Sequence, residues 1–221
     1  MKYKAIIFDL DGTLLNSLID IADSVNLVLE KYNLPTHSIE DYKLFIGNGI
    51  EKLVALALPE NIKKTDFEKY LSEIKSVYEK NQISKTKPYN GVIEMLKTLN
   101  NRGVSLNILS NKPIEFTKML VEHFFVDIKF DNVLGAREGI PKKPNPQAVF
   151  DIIENLQLEK CAVLYVGDTG TDMKTAENAD LTSVGVLWGF RGMEELVENN
   201  ANYIIDEASK IIDIVFEASD L

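Results

Sequence analysis

The chain has 221 residues, 45% of them hydrophobic, enough for one large domain or for a core domain with a small insert. Its formal net charge of -10 repels nucleic-acid phosphate and anionic membrane, which argues against either as a partner. A single cysteine excludes an intrachain disulfide, and no apolar run approaches the ~20 residues that cross a bilayer.

Acids at positions 9 and 11 interrupt the apolar N-terminus, so no signal-peptide pattern is read there and the compartment expected is the cytoplasm. Ala5-Ile6-Ile7-Phe8 reads as a short buried strand, closed by a turn at Gly12. Asp9 and Asp11 follow at its mouth, two apart and so on one side of an extended chain. Residues 17 to 83 read as wholly helical. Leu18, Ile21, Val25, Val28 and Leu29 mark one face of a first helix, for which Ser17 and Asp20 form a capping-box-like start. Ser38 and Asp41 open a second helix in the same way, Ile50 to Leu58 suits a third, and Thr65 with Glu68 opens a fourth. Four amphipathic helices in a row predict a small bundle with its own core.

After Pro88 the pattern alternates. A helix over Val92 to Leu99 stops at Gly103, and a strand follows over Leu106 to Ser110. A helix over Ile114 to His123 leads to a short strand, Asn132 to Leu134, and a loop rich in Lys and Pro. Then come a helix over Gln147 to Leu156, a strand from Cys161 to Gly167, a helix over Thr171 to Ala179 and a strand over Ser183 to Val186. Cys161 is expected to be buried in its strand as a small hydrophobe. Such alternation predicts an α/β fold with a parallel, doubly wound sheet, the helical block being inserted after the first strand.

Open parallel sheets bind ligands at the carboxyl ends of their strands. Those ends deliver Asp9 and Asp11, then Ser110, Asn111 and Lys112, and then Gly167, Asp168 and Asp172; the Lys-Pro loop adds Lys142 and Lys143. Each piece alone has an ordinary explanation as a turn, a helix cap or a solvated lysine. Together they crowd Asp9, Asp168 and Asp172 at one end, which calls for a hard divalent cation, and oxygen donors suit Mg²⁺. Lys143, Ser110 and backbone N–H groups after Asp9 then suit phosphoryl oxygens. Asp9 is placed to attack phosphorus, and Asp11 to protonate the leaving oxygen and later to activate water. The cation would lower the pKa of Asp9. No G-x-x-x-x-G-K-[ST] loop and no G-x-G-x-x-G after a strand is present. His37 and His123 read as ordinary helix-face or surface residues.

Asp9-Leu10-Asp11-Gly12-Thr13, Ser110, Lys143 before Pro144, and Gly167-Asp168 with Asp172 occur in an order that resembles the haloacid dehalogenase superfamily over essentially the whole chain. The resemblance implies a Rossmann-like core of residues 1–15 and 86–221, with an α-helical C1-type cap over residues 16–85. It implies Asp9 as nucleophile and Asp11 as general acid and base. It implies Mg²⁺ on Asp9, Asp168 and the Asp11 carbonyl, supported by Asp172, and phosphoryl binding by Ser110, Asn111 and Lys143. The second acid argues against the dehalogenase branch. Phe45-Ile46-Gly47-Asn48-Gly49 and Gly185-Val186-Leu187-Trp188-Gly189-Phe190-Arg191 are similar to the phosphoglycolate phosphatase branch, which implies a small phosphorylated metabolite as substrate. Gly47, Asn48 and Gly49 would touch it beyond the phosphate. Asn16 departs from the family pattern, which has Asp there, and lies at the hinge between core and cap. Residues 14–20 and 80–88 would be the two linkers, and Arg191 reads as a surface residue rather than an anion reader at the rim. A β-phosphoglucomutase-like phosphotransferase, a pyrophosphatase and a phospho-signalling receiver-like module are the alternatives. The assembly expected is a monomer or a homodimer.

Overall fold

In the computed structural model, which describes residues 1–216, six strands form one parallel sheet. In chain order the strands of that sheet are β1 (Ala5–Phe8), β4 (Ser105–Pro113), β5 (Asn132–Ala136), β6 (Val163–Gly167), β7 (Thr182–Val186) and β8 (Tyr203–Ile205). Their spatial order is β5-β4-β1-β6-β7-β8. Ile6 and Phe8 of β1 pack on one face of the sheet, Ala5 and Ile7 on the other. In β6, Leu164 and Val166 join the first face, Val163 and Tyr165 the second. That period of two explains why each strand reads as a continuous apolar run: both faces are covered. Each such side chain, fully buried, is worth about 1.5–3 kcal/mol of transfer free energy.

The covering helices are α5 (Val92–Asn101), α6 (Ile114–Phe124), α7 (Gln147–Leu156), α8 (Gly170–Ala179), α9 (Met193–Glu198) and α10 (Lys210–Phe216). β1 lies between β4 and β6, so the chain winds outward from it in both directions and the crevice for a ligand opens at its C-terminal end. A short 3-10 turn, Lys160–Ala162, precedes β6 and leaves Cys161 exposed. The expected burial of Cys161 is therefore corrected: the strand starts two residues later.

Between β1 and α5 the chain makes α1 (Leu18–Lys31), α2 (Ile39–Phe45), α3 (Ile50–Ala57) and α4 (Lys64–Asn81). These helices gather around their own apolar cluster, including Ala22, Val25, Leu29, Tyr42, Val54 and Ile74. Two residues from the sheet-bearing part, Phe116 and Phe190, reach into that cluster. The passages into and out of the helical insert pair as an antiparallel ribbon, β2 (Leu15–Asn16) with β3 (Lys87–Pro88).

Ser38 and Asp41 form the expected capping box. The other two expected helix starts are corrected. Thr65 lies inside α4, whose N-cap is Lys63 with no side-chain cap. Ser17 is the N-cap of α1 but makes no capping hydrogen bond, because its hydroxyl donates to Asp11 instead. Asp20 is likewise drawn away from its own helix. It accepts from the Lys85 and Thr86 N–H groups and the Thr86 hydroxyl, at 2.8–3.0 Å, and so pins α1 to the returning strand.

Candidate active site

Asp9 leaves the end of β1, Asp168 follows β6, and Asp172 sits in the first turn of α8. One carboxylate oxygen from each lies within 4.8 Å of the others, and all three residues are buried. Two close approaches bring Asp168 in. Gly12 has φ +88°, and a Cβ there would stand 2.2 Å from Asp168 Oδ2; a Cβ on Gly189 would stand 2.3 Å from Asp168 Cβ. Asp168 accepts from the Thr13 hydroxyl at 3.1 Å and the Phe190 N–H at 2.8 Å. Asp172 closes a capping box with Thr169, whose hydroxyl donates to it at 2.7 Å.

Lys143 is the counter-charge. Its ammonium lies 2.9 Å from Asp9 Oδ1 and 2.7 Å from Asp172 Oδ1. Burial alone would discharge this lysine, but attraction to Asp172 and Asp9 wins and raises its pKa. One ammonium does not balance three carboxylates. Burial, with repulsion from Asp172 and Asp9, pushes Asp168 well above the usual carboxylate range. Burial likewise raises Asp9 to about 7 against the opposing pull of Lys143. The expected lowering of Asp9 thus belongs to a cation-loaded site; the acids by themselves retain a proton.

That excess of negative charge is the test of whether a metal suits these residues. The donors are hard oxygens, and Asp9 Oδ1, though close to Lys143, makes no hydrogen bond. Asp172 spends its oxygens on Lys143 and Thr169, which fits a supporting place behind the other two. Asp9 and Asp168 with a backbone oxygen fit a Mg²⁺-type ion.

Asp11 stands apart from the cluster. Its Oδ2 accepts from Lys112 Nζ at 2.6 Å, and its Oδ1 accepts from the Ser17 hydroxyl at 2.5 Å. Lys112 was visible in the run after β4's apolar stretch, yet no role was read for it; the signal was a lysine embedded in a buried strand, which demands an acid partner. A cavity of about 60 Å³ separates this pair from the helical insert. Asp9, Asp11, Ser110 and Lys112 line its floor side, and Gly47, Gly49 and Tyr78 line it from the insert.

Two expected binding residues have side chains engaged elsewhere, and of the two Asn111 lines the cavity. Asn111 donates its amide to the Gly47 and Lys143 carbonyls and accepts from the Lys143 N–H, so its side chain ties loops together and has no donor left for a phosphoryl group. Asn48 does not line the cavity; its amide oxygen accepts from the Thr171 hydroxyl at 3.3 Å. Arg191 is neither a surface residue nor an anion reader. Its guanidinium donates to the carbonyls of Lys43, Leu44 and Ile46 at the end of α2, and its Nε pairs with Glu195 at 3.0 Å.

The fold and this arrangement are those of a known class. The profile of the haloacid dehalogenase-like hydrolases matches residues 6–186, and the chain belongs to that family. It is 33% identical to a phosphoglycolate phosphatase of Haemophilus influenzae (strain 86-028NP), over 97% of this chain and 99% of that protein. It is 31% identical to one of Pseudomonas syringae pv. tomato, over 95% of this chain and 78% of that protein. A crystal structure from Lactobacillus delbrueckii subsp. bulgaricus, of a protein to which the same activity is ascribed, superposes with a TM-score of 0.90 at 32% identity. The match covers 97% of this chain and 99% of that one.

Proposed function

We propose that this hydrolase is a Mg²⁺-dependent phosphatase of a small phosphorylated metabolite, 2-phosphoglycolate, working through an aspartyl-phosphate on Asp9. The observation that carries this reading is the buried cluster of Asp9, Asp168 and Asp172 around Lys143, of which Asp9 lines a cavity together with Ser110 and Asp11. The names of the relatives support the substrate.

Lys143 and the Ser110 hydroxyl hold phosphoryl oxygens. An Asp9 oxygen bonds to phosphorus as the bond from phosphorus to the ester oxygen breaks. Asp11 gives its proton to that leaving oxygen. It then takes a proton from the water that attacks phosphorus, and the bond to Asp9 breaks to release phosphate. Lys112 and Ser17 keep the Asp11 carboxylate oriented for both transfers. Mg²⁺ held by the Asp9 and Asp168 carboxylates and the Asp11 carbonyl, with Asp172 behind, would neutralise phosphoryl charge.

Residues 16–85 act in this reading as a cap over the core of residues 1–15 and 86–221. The ribbon of β2 and β3 is the hinge, and closure excludes water during attack. Gly47 and Gly49 present cap backbone to the substrate.

The test is turnover of p-nitrophenyl phosphate, then of a metabolite panel, with and without Mg²⁺. Hydrolysis that stops on chelation and falls by at least ~10³-fold in Asp9→Asn is expected. Metal-independent turnover, or an Asp9→Asn variant as active as the parent, rejects the mechanism. A low rank for phosphoglycolate rejects the substrate alone.

A further inference from the structure

The cavity has one feature that phosphoryl chemistry leaves unused. Among the described residues that line it, Lys112 is the only basic side chain. Its ammonium spends one N–H on Asp11 and sits 4.7 Å from the centre of the Tyr78 ring. An ammonium carries three donors, so this one can bridge Asp11 and a second anion. Beside it the Tyr78 hydroxyl is buried and donates no hydrogen bond, although Lys112 interacts with it. A buried hydroxyl that donates to nothing costs stability, and burial pushes its pKa up to about 12, so it stays a donor. Two unspent donors thus face one small space.

Ile21, Ile46, Ile50, Leu53 and Phe116 add an apolar stretch to the same wall. Those five side chains offer no hydrogen bond to the hydroxyl groups of a sugar phosphate. The volume of about 60 Å³ is roughly that of four waters at ~15 Å³ each, which suits a short leaving group.

The geometry points to Lys112 and Tyr78 as the residues that read the leaving group: together they form a subsite for a carboxylate on the carbon next to the ester oxygen. The site therefore selects short phosphorylated hydroxy acids over phosphorylated alcohols and sugars. This inference rests on the phosphatase reading above. It adds a division of labour: Lys143 binds the phosphoryl end, and Lys112 with Tyr78 binds the acid end. Placement follows from Asp11. If Asp11 protonates the leaving oxygen, then Lys112, 2.6 Å from Asp11, lies one carboxylate away from that oxygen, which is the reach of a two-carbon acid.

The experiment compares kcat/KM for 2-phosphoglycolate and ethyl phosphate, which differ by the carboxylate alone, with Mg²⁺ present. The wild-type protein is expected to prefer the acid. Lys112→Gln is expected to cut that preference by on the order of 30-fold, the worth of a charge-assisted hydrogen bond, and Lys112→Arg to restore part of it. Tyr78→Phe keeps the ring and is expected to cut the preference about fivefold. It should melt no lower than wild type, because it removes a buried donor that has no acceptor.

A lysine that served only to hold Asp11 would slow both esters by one factor. A ratio unmoved in Lys112→Gln and Tyr78→Phe therefore overturns the inference, and so does a wild type that favours ethyl phosphate. Both results leave the phosphatase reading standing. A wild type that hydrolyses p-nitrophenyl phosphate but neither ester overturns this inference alone, and one that hydrolyses none of the three brings down the phosphatase reading with it.

Discussion

The two buried lysine–aspartate pairs have the same chemistry and opposite surroundings. Lys143 lies among Asp9, Asp172 and, one step further, Asp168, all held by the strand core. Lys112 has one acid, Asp11, and faces Tyr78 of the helical insert. The first group is short of positive charge, and burial raises the pKa of Asp9 and Asp168 as a result. The second group is balanced and has hydrogen-bond donors to spare. A surplus of carboxylate prepares one pole for a cation and a phosphoryl group; a surplus of donors prepares the other for an anion.

Removing each lysine breaks that contrast most sharply. Lys143→Met leaves two buried carboxylates without their partner, which costs about 3–5 kcal/mol in chelator-treated protein. Lys112→Met leaves Asp11 with the Ser17 hydroxyl still in place, so a smaller loss of about 1–3 kcal/mol is expected. Urea unfolding of both variants in EDTA measures the difference; equal losses would mean that the poles do not differ. Added Mg²⁺ should recover more stability in Lys143→Met than in Lys112→Met, since only the former has lost its cation among the clustered acids.

The pH dependence of stability sharpens the same contrast. Without a divalent ion, folded Asp9 holds a proton up to about pH 7, whereas the unfolded chain releases it near 3.8. Between those values the native state binds more protons than the unfolded state, so this group makes stability fall as pH rises from about 4 to 7 and then level off. Asp168, raised in the same direction, adds to the slope. Melting in EDTA at pH 5 and pH 7.5 is expected to show the decline, Asp9→Asn to reduce it, and saturating Mg²⁺ to flatten it.

Which parts were legible in the sequence follows from how local each signal is. The run from Val92 to Val186 announces itself because short apolar strands such as β6, buried on both faces, alternate with helices such as α5 that carry an apolar stripe. The acids and Lys143 could be placed together because a parallel sheet brings its strand ends to one edge. The ribbon of β2 and β3 could not be read, since two residues per strand carry no period. No helix or strand is read after β7, where β8 is three residues and α9 six. Ser17 and Asp20 matched a capping box, but each found a stronger partner distant in sequence, Asp11 or the Lys85–Thr86 backbone. The side-chain partners of Asn111 and Asn48 were hidden for a related reason. An amide near a phosphate site looks like a ligand, and here loop carbonyls and a threonine hydroxyl had already claimed them.

Asp20 tests whether the hinge belongs to the core or to the insert. Its carboxylate, 2% exposed, gathers three donors from Lys85 and Thr86. Asp20→Ala would strand those donors and is expected to cost about 1–3 kcal/mol, read by urea unfolding. If the insert moves as a unit on this hinge, limited proteolysis near residues 80–88 should speed up in the variant while cleavage within the strand core does not.

Arg191 gives the smallest expected effect and the most local one. From the core side it satisfies carbonyls at the C-terminus of α2, which otherwise end without partners, and so fixes the start of the Gly47–Gly49 turn. That turn forms part of the cavity wall, which Asp9, Asp11 and Lys112 line from the strand side. Arg191→Ala should therefore raise KM for phosphoglycolate about threefold to tenfold and leave kcat within about twofold, since loosened positioning acts on binding before chemistry. Stability should change by no more than about 1 kcal/mol, because the freed carbonyls can turn to water. A fall in kcat of about tenfold or more would instead tie the α2 terminus to the chemical step and erase the distinction between the two poles.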